Sequence, residues 1–234
     1  MERSPDWLLD EVASAGRENL DPEHVARYDD KEDAGAAAEV ALLVTLGLGA
    51  DSVVVDLGAG TGQFTLAAAP VCSRVIAVDV SPVMRSALGA RVAAAGASNV
   101  EVVAAGFLTY DHAGPPADFV YSRFALHHLP DFWKVLALRR MRAICRAGAV
   151  LRLSDVVYSG EAESVEERLT AWCDAFDDAP DGGWTRADVV EHIRDEHSTF
   201  AWLLEPMIER SGFTIEQREY SHDGIFARYL ARAA

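Results

Sequence analysis

The segment Val53-Val54-Val55-Asp56-Leu57-Gly58-Ala59-Gly60-Thr61-Gly62 holds the residues best suited to bind a ligand. An apolar, β-branched run leads into three alternate glycines and then into helix-forming residues. Glycine takes positive φ freely and lets a ligand approach the main chain closely. In open α/β sheets, ligands sit beyond the carboxyl ends of the strands. A dinucleotide fingerprint would need a glycine at position 63, where Gln63 stands, and no GxxxxGK[ST] phosphate loop is present. Asp56, just before the glycines, repels a pyrophosphate and attracts a cation. S-adenosylmethionine (SAM) meets these terms, with a sulfonium, an amino group and no phosphate.

Asp79 ends the next apolar run, about 20 residues past the glycines, where an acid meets ribose hydroxyls in dinucleotide folds. Capping the following helix is the competing role, and Ser81 is placed to fill it. With these two acids comes the block Asp118-Phe119-Val120-Tyr121-Ser122-Arg123-Phe124-Ala125-Leu126-His127-His128-Leu129-Pro130. Together they resemble the methyltransferase type-11/type-25 domain families, over roughly residues 36–157. The resemblance implies a class I SAM-dependent methyltransferase. Asp56 and the main chain at Gly58, Gly60 and Gly62 would hold the methionine moiety, and Ser122 would face its end. Asp79 would hold the ribose, Val80 and Met84 would flank the adenine, and Tyr28 would lie over SAM. Many members carry an acid after the third strand that meets the adenine amino group. This chain reads Ala104-Ala105-Gly106-Phe107, so the Gly106 backbone and the Phe107 ring are expected to serve instead.

Three histidines are candidate proton acceptors: His127, His128 and, in the polar–aromatic run Arg194–Trp202, His197. Imidazole titrates near neutral pH, although in many members of the family this chain resembles, paired histidines at this place pack or hydrogen-bond near the cofactor. No metal is expected, because spacing shows no third ligand. Trp172, Phe176, Trp184, Phe200 and Trp202 either pack a helical core or line an acceptor pocket.

The elements that position these groups alternate. Strands are expected at Ser52–Leu57, Arg74–Val80, Val100–Ala104, Asp118–Ser122 and Ala149–Asp155. Helices are expected at Ala36–Leu46, Gly62–Ala69, Pro82–Ala95 and Asp131–Arg146. Apolar strands in alternation with helices imply a parallel sheet covered on both faces. Helices at Glu161–Phe176 and Arg186–Glu196 follow, separated by the turn-rich Pro180–Gly183. Pro206–Ser211 continues a helix. Strands at Phe213–Ser221 and Ile225–Ala231 join through Asp223-Gly224, a hairpin signal. The expectation is a doubly wound, Rossmann-like, mostly parallel seven-stranded sheet whose last strand is antiparallel. The chain divides into a helical cap (1–35), a SAM-binding core (36–157), a helical substrate-side insertion (158–205) and a C-terminal hairpin region (206–234), all one domain.

The net charge of -16 disfavours nucleic acid as partner. Acids dominate from Glu161 to Glu196, which solubilises that surface or favours a cationic acceptor such as an amine. Cys72, Cys145 and Cys173 form no CxxC pair, as expected of a cytoplasmic protein with reduced thiols. No basic leader or ~20-residue apolar run is read. A monomer or homodimer methylating a small molecule and releasing S-adenosylhomocysteine (SAH) is the expected function. The alternatives are a decarboxylase or cyclase on the same fold, or a non-catalytic SAM-binding regulator.

Overall fold

The computed structural model describes residues 5–26, 28–31, 35–177 and 183–234. The turn expected at Pro180–Gly183 lies, but for Gly183, outside them. Five parallel strands build the core: β1 Val53–Leu57, β2 Arg74–Asp79, β3 Val100–Ala104, β4 Ala117–Arg123 and β5 Cys145–Tyr158. Then come β6 Thr199–Phe200, β7 Phe213–Tyr220 and β8 Phe226–Ala233. The main order is β3-β2-β1-β4-β5-β8-β7, with β6 paired to the end of β5. The last strand, β8, runs antiparallel to both β5 and β7, as expected. The two-residue β6 is an addition that is too short to leave a periodic signature. Strand β5 is longer than expected at both ends, and at its start Cys145 and Arg146, expected to end the preceding helix, belong to the strand, where Cys145 pairs with Ala117.

The N-terminal segment carries α1 Pro22–Ala26 and α2 Tyr28–Lys31, followed by α3 Ala36–Thr45. Asp21 caps α1 by accepting from the Glu23 N–H at 2.9 Å. Helices α4 Gln63–Ala68, α5 Pro82–Ala95 and α6 Asp131–Ile144 cross over between strands. Ser81 caps α5 by accepting from the Met84 N–H, and Gly96 ends it in the left-handed region. The segment after β5 holds α7 Val165–Asp174, α8 Arg186–Asp195 and α9 Ala201–Arg210.

Every residue of β1 is buried because the sheet is covered twice. Val53, Val55 and Leu57 face the layer that holds Leu138 and Met141 of α6 and Leu204 and Ile208 of α9. Val54 faces the other layer, with Val40 and Leu43 of α3 and Phe64 of α4. Cys72 and Cys145 sit among these apolar side chains as free thiols. Among the described residues, no helix is long and apolar enough to cross a membrane.

One charge lies inside this second layer. Arg152, in mid-β5 and 3% exposed, meets Glu39 of α3 through Nε at 2.8 Å and Nη2 at 3.0 Å. A buried cation stripped of its partner is strongly destabilising. Glu39→Ala should therefore lower stability by about 3 kcal/mol or more, read as a reduced urea midpoint.

Candidate functional site

The strand order reverses between β1 and β4, and a narrow cleft opens there at the carboxyl ends of β1–β4. Gly58 and Gly60 form its floor, with Asp79, Val80 and Met84 on the β2 side and Gly106 and Phe107 on the β3 side. Tyr28 closes it from the N-terminal segment. The structure thus brings eight of the eleven expected cofactor residues to one cleft.

Three others are placed elsewhere. Asp56 is buried behind the glycine turn, where its carboxylate accepts from Thr65 Oγ1 of α4 at 2.6 Å. Gly62 meets α5, since a Cβ there would collide with Leu88. Ser122 is fully buried with no hydrogen bond to its Oγ, and the following residues, Arg123 to Ala125, face the cleft instead.

Asp79 organises the floor. Its Oδ2 accepts from Gly60 N–H and its Oδ1 from Ser81 N–H, each at 2.8 Å. Burial raises its pKa, against those bonds. Gly58 requires glycine twice, with φ of 74° and an added Cβ colliding with that of Ala125.

The expected role of the Gly106 backbone is corrected. Its N–H already donates to Thr109 Oγ1 at 2.8 Å, and its carbonyl accepts from Tyr110. Its missing side chain instead admits Glu11, whose carboxylate would overlap a Cβ at position 106. Glu11 is 7% exposed, lines the cleft, and accepts from Leu108 N–H and Thr109 Oγ1 at 3.1 and 3.0 Å. An acid from the N-terminal segment therefore stands beside β3, where the sequence shows none.

A second cavity of about 470 Å³ adjoins the cleft. The two share Asn19, Tyr28, Phe124 and His128. Phe124 has φ of 49°, unusual for a bulky side chain, and is held by its N–H to Ser154 O at 2.9 Å. Trp172, Phe176 and Trp184 line the second cavity, and Trp172 also packs against the cluster of Val156, Tyr158 and Ile225. Phe200 stacks on the exposed Trp202 instead.

Histidines and acids meet at this cavity. His127 places Nδ1 2.5 Å from Asp155 Oδ1 and Nε2 2.9 Å from Glu196 Oε2. Burial alone would depress the ring, but the two carboxylates outweigh it and raise it to about 10. Burial and the His127 charge hold His128 near about 3. Glu196 resists its own burial because His127 and His192 keep it far below the usual carboxylate range. His197 is not brought here. Its ring is exposed and lines neither cavity, while its N–H donates to His127 O at 2.9 Å.

Residues 54–148 match a methyltransferase domain family. The uncharacterised methyltransferase YrrT of Bacillus subtilis is 27% identical over 162 residues, 69% of this chain and 70% of that one. In sequence this chain is therefore similar to methyltransferases. Magnesium protoporphyrin IX methyltransferase (ChlM) from Synechocystis, solved with bound SAM, shares the fold. Its TM-score is 0.66 at 14% identity, covering 99% of this chain and 100% of that one. The [4+2]-cyclase SpnF is also similar in fold, with TM-score 0.62 at 17% identity and coverage of 84% and 80%.

SAM, which the ChlM structure holds, fits the cleft. The cleft offers the Asp79 carboxylate for hydroxyls, a glycine floor that no side chain obstructs, and apolar walls in Val80, Met84 and Phe107. Residues that the motifs did not reveal are Glu11, Asn19, Phe124, Asp155, His192 and Glu196. A signal existed for two of them. His192 and Glu196 are four apart at the end of a helical stretch, the spacing of neighbours on one face. Nothing local marks Glu11, which acts through tertiary contact.

Burial pushes the Asp56 carboxyl from 3.8 to about 7, countered by Thr65 and aided by the charge of Asp79. Between these values the unfolded chain releases a proton that the native protein keeps. Stability therefore falls through this group as pH rises from 3.8 to about 7, and no further above. Asp56→Asn removes that dependence. In urea unfolding the variant should gain on the wild type across this window and then hold a constant difference.

Proposed function

We propose that this protein transfers the methyl group of SAM to a small-molecule acceptor with a nitrogen or oxygen nucleophile, bound in the second cavity. The observation that carries this reading is the junction of the two cavities at Asn19, Tyr28, Phe124 and His128. A donor in the cleft and an acceptor in the larger cavity meet there, enclosed by aromatic side chains.

In this reading the Asp79 carboxylate takes the ribose hydroxyls while it keeps the glycine floor in place. Gly58 and Gly60 present main chain to the methionine moiety, with Tyr28 above it. Val80, Met84 and Phe107 clasp the adenine. Glu11 supplies the carboxylate for the adenine amino group, since an ionised carboxylate has about four acceptor positions and the three local contacts do not fill them. SAM bound there supplies a sulfonium-activated methyl, so a new C–N or C–O bond forms in line as the C–S bond breaks and SAH leaves. The chain's own residues align the two partners and exclude water, which accounts for much of the acceleration. His128 meets the acceptor because it lines both cavities, and His127 sets the neighbouring wall. His197 has no part in this step, given its exposed ring.

Calorimetry of SAH tests the cofactor assignments. Asp79→Ala and Glu11→Ala should each weaken SAH by about tenfold or more, as loss of a charged hydrogen-bond partner would. Binding unchanged in Asp79→Ala would remove the cleft from the mechanism.

The likeness to a cyclase favours a second reading, in which SAM is held without methyl transfer. Turnover of a panel of amine and hydroxyl acceptors separates the two. One SAH per product, lost in His128→Ala with SAH affinity retained, is the expected result. Product without SAH would establish the second reading.

A further inference from the structure

Three side chains on the wall of the second cavity bring metal-ligating atoms together. His127 follows β4, while His192 and Glu196 belong to the end of α8 and the bend after it. Glu196 Oε2 lies 2.9 Å from His127 Nε2 and 2.7 Å from His192 Nδ1. Their ligand atoms all lie within 4.8 Å of one another. Yet this oxygen, sealed from water, accepts no hydrogen bond of acceptable geometry. The neighbouring imidazoles offset its charge, and its lone pairs remain for a stronger Lewis acid.

The far sides of both rings are secured. His127 Nδ1 is bound to Asp155 and His192 Nε2 meets Ser198 Oγ at 2.9 Å. Asp155 is itself fixed, accepting from the main-chain N–H of His127 at 3.1 Å and of Val156 at 2.8 Å. An outer carboxylate or hydroxyl on one ring nitrogen, with the other turned inward, is the support that metal-binding histidines have. Next to the group, His128 Nδ1 is also buried without a hydrogen bond, 3.8 Å from Glu196 Oε1, and Glu18, His128 and Glu196 form a second close set.

We propose that His127 Nε2, His192 Nδ1 and Glu196 Oε2 hold a first-row divalent transition-metal ion, Zn²⁺ by donor type, on the wall of the acceptor cavity. Two imidazoles and one carboxylate suit Zn²⁺, and three protein ligands are the number at which a metal keeps a position for a substrate or water. Mg²⁺ and Ca²⁺ prefer oxygen donors and are not expected to bind here. The fold supplies the third ligand that spacing around His127 and His128 could not show. The same ion would offset the carboxylates gathered here, so the acidity that favoured an amine acceptor has a second claimant.

Metal alone tests this. Full-length protein is stripped with chelator, dialysed and titrated by calorimetry with Zn²⁺ and with Mg²⁺. The expected result is one Zn²⁺ per chain and no heat from Mg²⁺. Glu196→Gln, which keeps the side chain's shape, and His192→Ala should each weaken Zn²⁺ by about tenfold or more. SAH affinity and circular dichroism should stay as in the wild type. No Zn²⁺ uptake by the wild type, or uptake undiminished in both variants, overturns the site. X-ray absorption of the Zn²⁺-loaded wild type needs no variant. A nitrogen/oxygen shell with two imidazoles supports the assignment, and a sulfur or all-oxygen shell refutes it. SAH binding is read separately, so loss of the methyl-transfer reading would leave this result intact, and the reverse.

Discussion

Parallel strands cannot be joined by tight hairpins, so each connection must cross back over the sheet, through α4, α5 and α6 or, between β3 and β4, through a loop. In this chain the crossovers run outward from β1 through β2 to β3 and then return to the far side of β1 at β4. Where the direction reverses, neighbouring strand ends are left without a helix stacked between them. The glycine turn, Asp79 and the β4 end all open into that gap. The larger cavity follows because the residues after β4, Arg123 to Leu129, must leave the sheet at the same place, with Phe124 in a backbone conformation that a phenylalanine rarely takes. Both cavities are thus products of strand order, and side chains tune them.

That origin explains how legible the molecule was from its residues alone. Strands buried on both faces read as continuous apolar runs, so β1, β2 and β4 were recognisable, while the final hairpin was marked by its Asp223-Gly224 turn. Helix α5 was bounded to the residue, since Ser81 and Gly96 are chemical signals for its two ends. The cleft residues were legible for the same reason, being consecutive with the strand ends. Groups that reach the site from far along the chain were not. Glu11 enters by tertiary contact, and a glycine at 106 that seemed to mark backbone recognition is there to make room for it. Asp56 shows a different limit. Its place at a strand end was clear, but not the side of the turn its carboxylate takes, which Thr65 decides.

The insertion after β5 shows how one residue of helical phase changes a functional reading. His197 and Glu196 are adjacent in sequence, yet the chain bends after α8 so that Glu196 enters the cavity and His197 faces solvent. A polar–aromatic run flagged the neighbourhood, and only the bend selects the residue. The acidic bias of this segment likewise has two components. Asp174 and Asp195 are exposed and engage arginines at the surface, whereas Glu196 is enclosed among histidines. Net charge cannot tell solvation from recognition, because burial decides which of these a carboxylate does.

The Arg152–Glu39 pair bears on pairing accuracy in β5, the longest strand. Side chains alternate across a sheet, so a slip of one residue exchanges its two faces. In β5 such a slip would carry Arg152 into the layer of α6 and α9, among Leu138, Leu204 and Ile208. It would also set Leu151 or Leu153 against Glu39. An all-apolar strand packed on both sides would tolerate that error at small cost, since leucine and valine suit either layer. The single guanidinium removes the degeneracy, and it makes the correct alignment of the central strand depend on a helix more than a hundred positions earlier in the chain.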